Sequence, residues 1–152
     1  MPRKKPAPEP GRLIATIEAV EQSYFIAQHR EHGDAFDDEA ILDVTGRIAE
    51  IGSRHRQHLG QEIEMSFICP RRFTSDSNGP SGKPSMFGVT LKKDQRSLLV
   101  YLPADAFWAL PAMIASKAVT HIEVSFGDYR YGRADLLSLH FTPASKLTRP
   151  FP

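Results

Sequence analysis

The 152-residue sequence contains one cysteine, no long apolar run and almost no net charge. Because Cys69 has no partner for an internal disulfide, the chain needs no oxidising compartment in order to fold. No stretch approaches the roughly 18–20 apolar residues that a membrane-spanning helix requires. A formal charge of +1 gives the whole protein no electrostatic attraction for nucleic acid or anionic lipid, so such binding would need a local basic patch. We therefore expect a soluble, cytoplasmic protein that does not contact a membrane.

The familiar signatures of catalysis are also missing from the sequence. It contains no phosphate-binding loop of the Walker type, no G-x-G-x-x-G, no H-E-x-x-H and no G-x-S-x-G. We therefore expect no catalytic residues and no cofactor, and we favour a protein that is not an enzyme. An enzyme with an unfamiliar site, in which His55 or His58 meets Glu62 or Asp43 in a pocket, is a third alternative.

Two pairs of histidines share a spacing of three residues, His29 with His32 and His55 with His58. On a helix this spacing would bring two imidazoles to one zinc ion. The local sequence supplies no third ligand, and the arginines on either side of His55 would repel a cation. We therefore expect no metal site, although only the fold decides whether either pair meets in space.

The chain divides into one domain and two proline-rich tails. Residues 1–11 contain four prolines and no apolar periodicity, which predicts a disordered tail, and residues 143–152 predict an extended one. Residues 12–142 are long enough to bury a core and are assigned to a single globular domain. Within this domain the loop at 71–85 is the longest, and we expect any mobile binding element to lie there.

The strongest apolar patterning lies between Met86 and Phe126. Two apolar strand segments flank a polar reversal at residues 92–96, and a helical segment and a third strand follow them. The segment QEIEMSFICP alternates apolar with polar residues, which predicts a strand whose buried face ends at Cys69. In ILDVTGRIAEI, the β-branched residues and the internal Gly46 predict a kinked strand. A final strand is predicted in LLSLHFTP.

One helix is predicted near residues 104–117. Pro103 suits its first turn, and the carboxylate of Asp105 interacts favourably with the partial positive charge there. Its apolar face combines Phe107, Leu110 and Ile114. Because Pro111 removes a backbone hydrogen bond from the helix interior, we expect a kink or two short helical turns.

Residues 13–28 fit either a helix or strands. As a helix, the segment would gather its apolar residues on one face, with Gly33 just beyond its end. As strands, two apolar segments would flank a polar break at 21–23 that forms a bulge or bend. Gly11 and Arg12 are weak helix N-caps, and the next apolar segment suits an antiparallel partner. We therefore favour one long, bent strand.

These elements together predict the fold class. About seven strands and one helix are typical of an α+β protein that is mostly β. The expected architecture is an antiparallel sheet rolled into a small barrel or sandwich, with one Pro-kinked helix near 104–117.

Three clusters of basic residues form a candidate surface for nucleic acid. They are Arg54 with Arg56, Arg71 with Arg72, and Arg130 with Arg133 beside Tyr129 and Tyr131. Aromatic rings can stack on bases while guanidinium groups hold phosphates, as on small β-barrels that bind single strands. However, tyrosine and arginine are common in exposed turns, and Asp128 and Asp135 can pair with the arginines of the third cluster. Nucleic-acid binding is therefore the alternative hypothesis.

Trp108 and Met113 border the predicted apolar face of the helix. A tryptophan next to a phenylalanine is typical of an interface anchor and equally of a core residue. We expect Phe107 in the core, and we take Trp108 and Met113 as the candidate protein-contact residues. Since a well-patterned core comes without a catalytic set, the leading hypothesis is a small non-enzymatic binding or accessory module. Its partner would be another protein or a second copy of the chain.

Overall fold

The computed structural model describes residues 3, 11–28, 36–70 and 87–147. The predicted loop at 71–85, residues 1–2 and 4–10 of the first predicted tail and residues 148–152 of the second lie outside these ranges. The main elements are β1 (Gly11–Thr16), β2 (Ala19–Gln28), β3 (Phe36–Ile51), β4 (Glu62–Pro70), β5 (Gly88–Lys92), β6 (Gln95–Tyr101), α1 (Ala104–Ala115), β7 (His121–Phe126) and β8 (Arg133–Thr142). Short 3₁₀ helices occupy Ser53–His58 and Ala144–Lys146. No helix in the described ranges has the length and hydrophobicity needed to cross a membrane.

Seven of the strands form a closed barrel in the order β1-β7-β8-β5-β6-β4-β3, and β3 pairs with β1 to complete it. The prediction of a mostly β fold, rolled into a small barrel with one helix, is confirmed. Every neighbouring pair is antiparallel except β4 and β6, which run parallel. A parallel pair needs a long crossover. Here the whole of β5 lies between β4 and β6 in sequence. Because no short turn connects the two strands, the sequence contains no local signal that predicts their pairing.

The barrel interior is filled by alternate residues of the strands. The predicted alternation of β4 is confirmed, because its inward side chains are almost inaccessible to solvent whereas Glu62 and Glu64 are exposed. Inward residues of β4 and β3 include Ile63, Met65, Phe67, Leu42, Val44 and Ile48. Cys69 is also buried and forms no disulfide, as its position on this face predicted.

The ambiguous residues 13–28 form strands, which confirms the favoured interpretation. β1 pairs with residues 48–51 of β3, and β2 pairs with residues 36–45 of the same strand. The break between them falls at Ile17 and Glu18 and not at the polar residues 21–23, which are paired without interruption inside β2.

Gly46 lies on β3 where β1 ends and β2 begins. A Cβ atom on Gly46 would lie 1.7 Å from the backbone oxygen of Thr16. The two backbones therefore approach too closely for any side chain, which is the physical reason for a glycine in this strand. Hydrogen bonds on both sides of Gly46 keep the two backbones close together. Glu18 N–H donates to the Thr45 carbonyl at 2.8 Å, and Arg47 N–H donates to Thr16 Oγ1 at 3.2 Å.

The two ends of the barrel carry different elements. At the helix end, α1 connects β6 to β7 and inserts Phe107 and Leu110 into the core, where both are buried. Pro111 lies inside α1, which runs through it as one helix and not as two short turns. At the opposite, hairpin end lie the 3₁₀ helix at 53–58 and the β5–β6 and β7–β8 hairpins.

Strand β2 leaves the barrel at the helix end, because Thr16 at the end of β1 pairs with His121 at the start of β7. β2 then continues along β3 alone and is an edge strand of the sheet among the described residues. We call the antiparallel pair formed by β2 and residues 36–45 the ribbon.

Candidate functional site

A basic groove opens at the hairpin end of the barrel. Its volume is about 830 Å³, and its walls come from three segments within 57–61, 91–96 and 129–132. Backbone hydrogen bonds hold these walls together, since Leu91 N–H donates to the Gly132 carbonyl at 2.8 Å. Segments that are far apart in sequence therefore form one continuous surface.

The lining of the groove contains three cationic side chains and no carboxylate. The cations are Lys92, Lys93 and Arg96, all from the β5–β6 hairpin. The Arg96 guanidinium is oriented by the backbone, because its Nε donates to the Glu62 carbonyl at 2.9 Å and its Nη1 donates to the Lys93 carbonyl at 3.1 Å. These bonds use two of its five N–H donors and leave the rest for a ligand.

His55 and His58 are both buried beside this groove. Burial lowers the pKa of His55, and the nearby positive charges of Arg54 and His58 lower this pKa further. Burial also lowers the pKa of His58, with a second contribution from the charge of Arg96. The two imidazoles are thus close enough to affect each other, and the lowered pKa of each favours its uncharged form.

The histidine pair is not joined in the groove by either carboxylate of the enzyme alternative, Glu62 or Asp43. No group of three or more metal-binding side chains occurs in the described ranges, which exclude His29 and His32. Glu62 is exposed and offers its backbone carbonyl to Arg96, while Asp43 accepts a hydrogen bond from Ser66 Oγ at 2.7 Å. Neither carboxylate lines the groove with His58.

The two tyrosines of the groove have different roles. Tyr129 belongs to the framework: its hydroxyl donates to the Leu91 carbonyl, and its ring meets the His55 ring edge-on with centroids 4.5 Å apart. Tyr131 is 97% exposed at the tip of the β7–β8 hairpin. Of the two rings, that of Tyr131 is therefore the more accessible, whereas Tyr129 is half-buried.

The backbone of Tyr131 is strained. Tyr131 and Gly132 have φ values of +53° and +81°, the combination found in type I′ hairpin turns. Arg130 and Arg133 close the turn through reciprocal backbone hydrogen bonds of 2.8 and 3.0 Å. Asn or Asp normally occupies the first central position, whereas a tyrosine there costs about 1–2 kcal/mol relative to ordinary backbone geometry. Since its side chain buries nothing in return, packing does not account for this tyrosine.

The described arginines of the predicted basic clusters, Arg54, Arg56, Arg130 and Arg133, do not line the basic groove. Arg130 lies 3.7 Å from the Asp128 carboxylate, and Arg133 lines a second groove of about 790 Å³ that also contains Asp128 and Asp135. Arg54 and Arg56 are exposed on the 3₁₀ helix and do not line the basic groove, and Arg71 and Arg72 lie outside the described residues.

The cations that line the groove, Lys92, Lys93 and Arg96, are not among the candidate basic residues of the sequence. They belong to the polar reversal predicted between two strands. Their signal was three positive charges within five residues at a hairpin tip, a density that the other reversals lack.

A second candidate surface lies on the ribbon. Val20 lies opposite Val44, and Tyr24 lies opposite Ala40, so these β2 side chains share the face of β3 that points into the core. Val44 and Ala40 are at most 2% exposed, whereas Val20, Tyr24 and Ile26 are 37%, 55% and 59% exposed. The core-facing side of the sheet therefore continues onto β2, where Val20 and Ile26 are exposed to solvent.

The predicted contact residues on α1 are both exposed, Trp108 by 54% and Met113 by 41%. They are five positions apart, which corresponds to a rotation of about 140° around the helix axis. Trp108 packs edge-on against Phe107 at a centroid distance of 5.1 Å. The two side chains thus flank the buried face of α1 from opposite sides and do not form one patch.

Comparisons with known proteins add no relative. No family model matches the chain, and no curated protein or solved structure shows significant similarity to it.

Proposed function

We propose that the protein is a small non-enzymatic binding module that acts through protein–protein contacts, and that β2 receives the partner. The main support is the exposure of Val20, Tyr24 and Ile26 on a face that is elsewhere the core. Natural edge strands are usually protected by lysine, proline or a bulge. The β2 sequence AVEQSYFIAQ contains no lysine, arginine or proline, and its pairing with β3 is regular. Among the described residues no further strand pairs with β2, and an exposed apolar face on such an edge suits addition of a strand from another chain.

The size of this surface indicates what the contact must include. Covering Tyr24 and Ile26 would remove roughly 200 Å² of apolar surface from water, worth about 5 kcal/mol. Association itself costs at least about 4 kcal/mol in lost translational and rotational freedom. Apolar burial alone therefore leaves little net affinity, and backbone hydrogen bonds along the edge of β2 must supply the rest.

A second copy of the chain can supply these backbone hydrogen bonds in one two-fold register, with cross-strand contacts between the apolar side chains. An antiparallel pair of β2 strands centred on Ser23 sets Val20 of each copy opposite Ile26 of the other. The same register sets Glu21 opposite Phe25, so no two carboxylates of β2 face each other. Self-association through β2 is therefore the simplest form of the proposed contact.

The test is the molar mass of the protein by light scattering across a range of concentrations. We expect a dimer that Ile26→Arg dissociates, because the variant introduces a charge on each side of the symmetric contact. Leu137→Arg on β8 is the matched control, since Leu137 is also apolar and 56% exposed but lies on another strand. This control should leave the dimer intact.

A different partner protein is tested in cells with a photo-crosslinking residue at position 26 or at position 137. A discrete adduct at position 26 alone, reproduced with the purified partner and weakened at least tenfold by Ile26→Arg, would support the proposal. A monomer at every concentration, together with no adduct specific to position 26, would refute it.

A further inference from the structure

The basic groove lies at the hairpin end, away from the ribbon, and the proposed protein contact does not use it. Three cations line it without a carboxylate. The nearest acids in sequence are otherwise placed: Asp94 lies in the exposed turn of the β5–β6 hairpin outside the lining, and Asp128 pairs with Arg130. The local charge is therefore positive although the net charge of the whole chain is only +1. Such a surface suits an anionic ligand.

Two of the three cationic side chains, those of Arg96 and Lys92, are held in place before any ligand arrives. Arg96 is oriented by the carbonyls of Glu62 and Lys93. The aliphatic stem of Lys92 lies across Gly132, because a Cβ atom on that glycine would come within 2.7–3.3 Å of three Lys92 carbons. A preordered donor set loses less conformational entropy on binding than free surface lysines do.

Tyr131 adds an aromatic surface to the same groove. The side chain is 97% exposed and lines the groove next to Gly132, on a backbone conformation that disfavours a bulky residue. An exposed ring beside preordered cations is the arrangement that stacks a base while its phosphates are neutralised.

We propose that the basic groove binds single-stranded nucleic acid, with phosphates at Lys92, Lys93 and Arg96 and a base stacked on Tyr131. A free nucleotide fits the geometry less well, because small-ligand sites bury about 70–90% of their ligand and an almost fully exposed ring encloses nothing. An acidic peptide would use the cations but not the aromatic ring. The combination of both therefore favours a strand with bases.

The first experiment measures binding of a fluorescent oligo(dT) of about twelve nucleotides to the full chain. Three phosphate contacts predict a salt slope of about −2, so affinity should fall about 20-fold between about 50 and about 200 mM salt. In Lys92→Gln/Lys93→Gln only one contact remains, and the same change of salt should weaken binding only about threefold. Lys117→Gln/Lys146→Gln removes the same charge at the helix end and should retain the 20-fold dependence.

The second experiment separates stacking from folding. Tyr131→Asn places a preferred residue at the turn, so its thermal midpoint should equal or exceed that of the wild type. Its affinity for the oligonucleotide should nevertheless fall about 5- to 150-fold, the usual effect of losing one stacked base. Thymidine monophosphate should bind at least 100-fold more weakly than the oligonucleotide.

Several outcomes would overturn the proposal. They are absence of binding at low salt, equal weakening by the two lysine pairs, unchanged affinity in Tyr131→Asn, or equal affinity for the mononucleotide. Ile26→Arg should leave oligonucleotide binding unchanged, so the groove and the ribbon are tested independently.

Discussion

Replacing Gly46 by alanine tests how the first two strands join the barrel. At a glycine within a strand, alanine is ordinarily the more stable residue by about 0.5–1 kcal/mol. At Gly46 the new Cβ would lie 1.7 Å from the Thr16 oxygen, a backbone atom, whereas real Cβ atoms almost never come within 3.0 Å of a neighbour. The backbones of β1 and β3 must therefore separate by more than 1 Å.

That separation breaks the bonds that anchor the junction. The Glu18 amide bond to Thr45 and the Arg47 amide bond to Thr16 Oγ1 are both lost. Each is worth about 1 kcal/mol. Loosened packing around Met65, which lies 3.2 Å from the same Cβ position, adds a similar amount. After subtraction of the ordinary preference for alanine, we expect Gly46→Ala to lower the free energy of unfolding by about 2–3 kcal/mol, and thus the thermal midpoint by roughly 4–12 °C.

Urea denaturation of a glycine series measures this effect. Gly52→Ala is the matched control, because its φ of −56° suits alanine and nothing lies within 4 Å of the added atom. It should gain about 0.4–1 kcal/mol. Gly88→Ala should fall between the two, since its Cβ would lie 2.9 Å from the Ala134 carbonyl oxygen. Equal stability of Gly46→Ala and Gly52→Ala would refute the close approach at the junction.

Two further predictions concern the ends of the barrel. Burial holds the pKa of His55 and His58 below 6.5 in the folded protein, so the unfolded chain takes up protons first as the pH is lowered. The free energy of unfolding should therefore decrease as the pH is lowered from about 7.5 to about 5.5. Urea denaturation across this range measures the loss, and an equally steep loss in His58→Leu would contradict the assignment. At the helix end, Phe107→Ala should cost about 3–5 kcal/mol and Trp108→Ala less than about 1 kcal/mol, because only Phe107 is buried. Equal losses for the two variants would contradict this placement of α1.

Local patterns predicted the elements well because their causes are local. The alternation from Ile63 to Cys69 marked β4 and its buried face, since side chains alternate between the two faces of a strand. Pro103 and Asp105 marked the start of α1, where the first backbone amides need no intrahelical partner. The weak helix N-caps before Leu13 correctly favoured strands over a helix for residues 13–28.

The groove could not be predicted in the same way. Its walls come from three chain segments, and only the barrel brings Lys92 next to Gly132 and Arg96 next to Glu62. For Arg130 and Arg133, by contrast, the aspartates close in sequence did indicate the surroundings. In the structure Arg130 lies near Asp128, and Arg133 lines a groove with Asp128 and Asp135. Residues close in sequence thus indicated the acidic neighbours of Arg130 and Arg133. They could not indicate contacts between segments that are distant in the chain.

By itself, the sequence determined which residues form strands and helix and which of their faces are buried. Both properties follow from hydrophobic periodicity and backbone preference within a few neighbouring residues. Only the tertiary structure decided that β4 and β6 run parallel, that β3 closes the barrel onto β1, and that β2 continues past this closure with its apolar face exposed. Those outcomes depend on hydrogen bonds and packing between residues distant in the chain, and such pairings leave no periodic trace in the sequence.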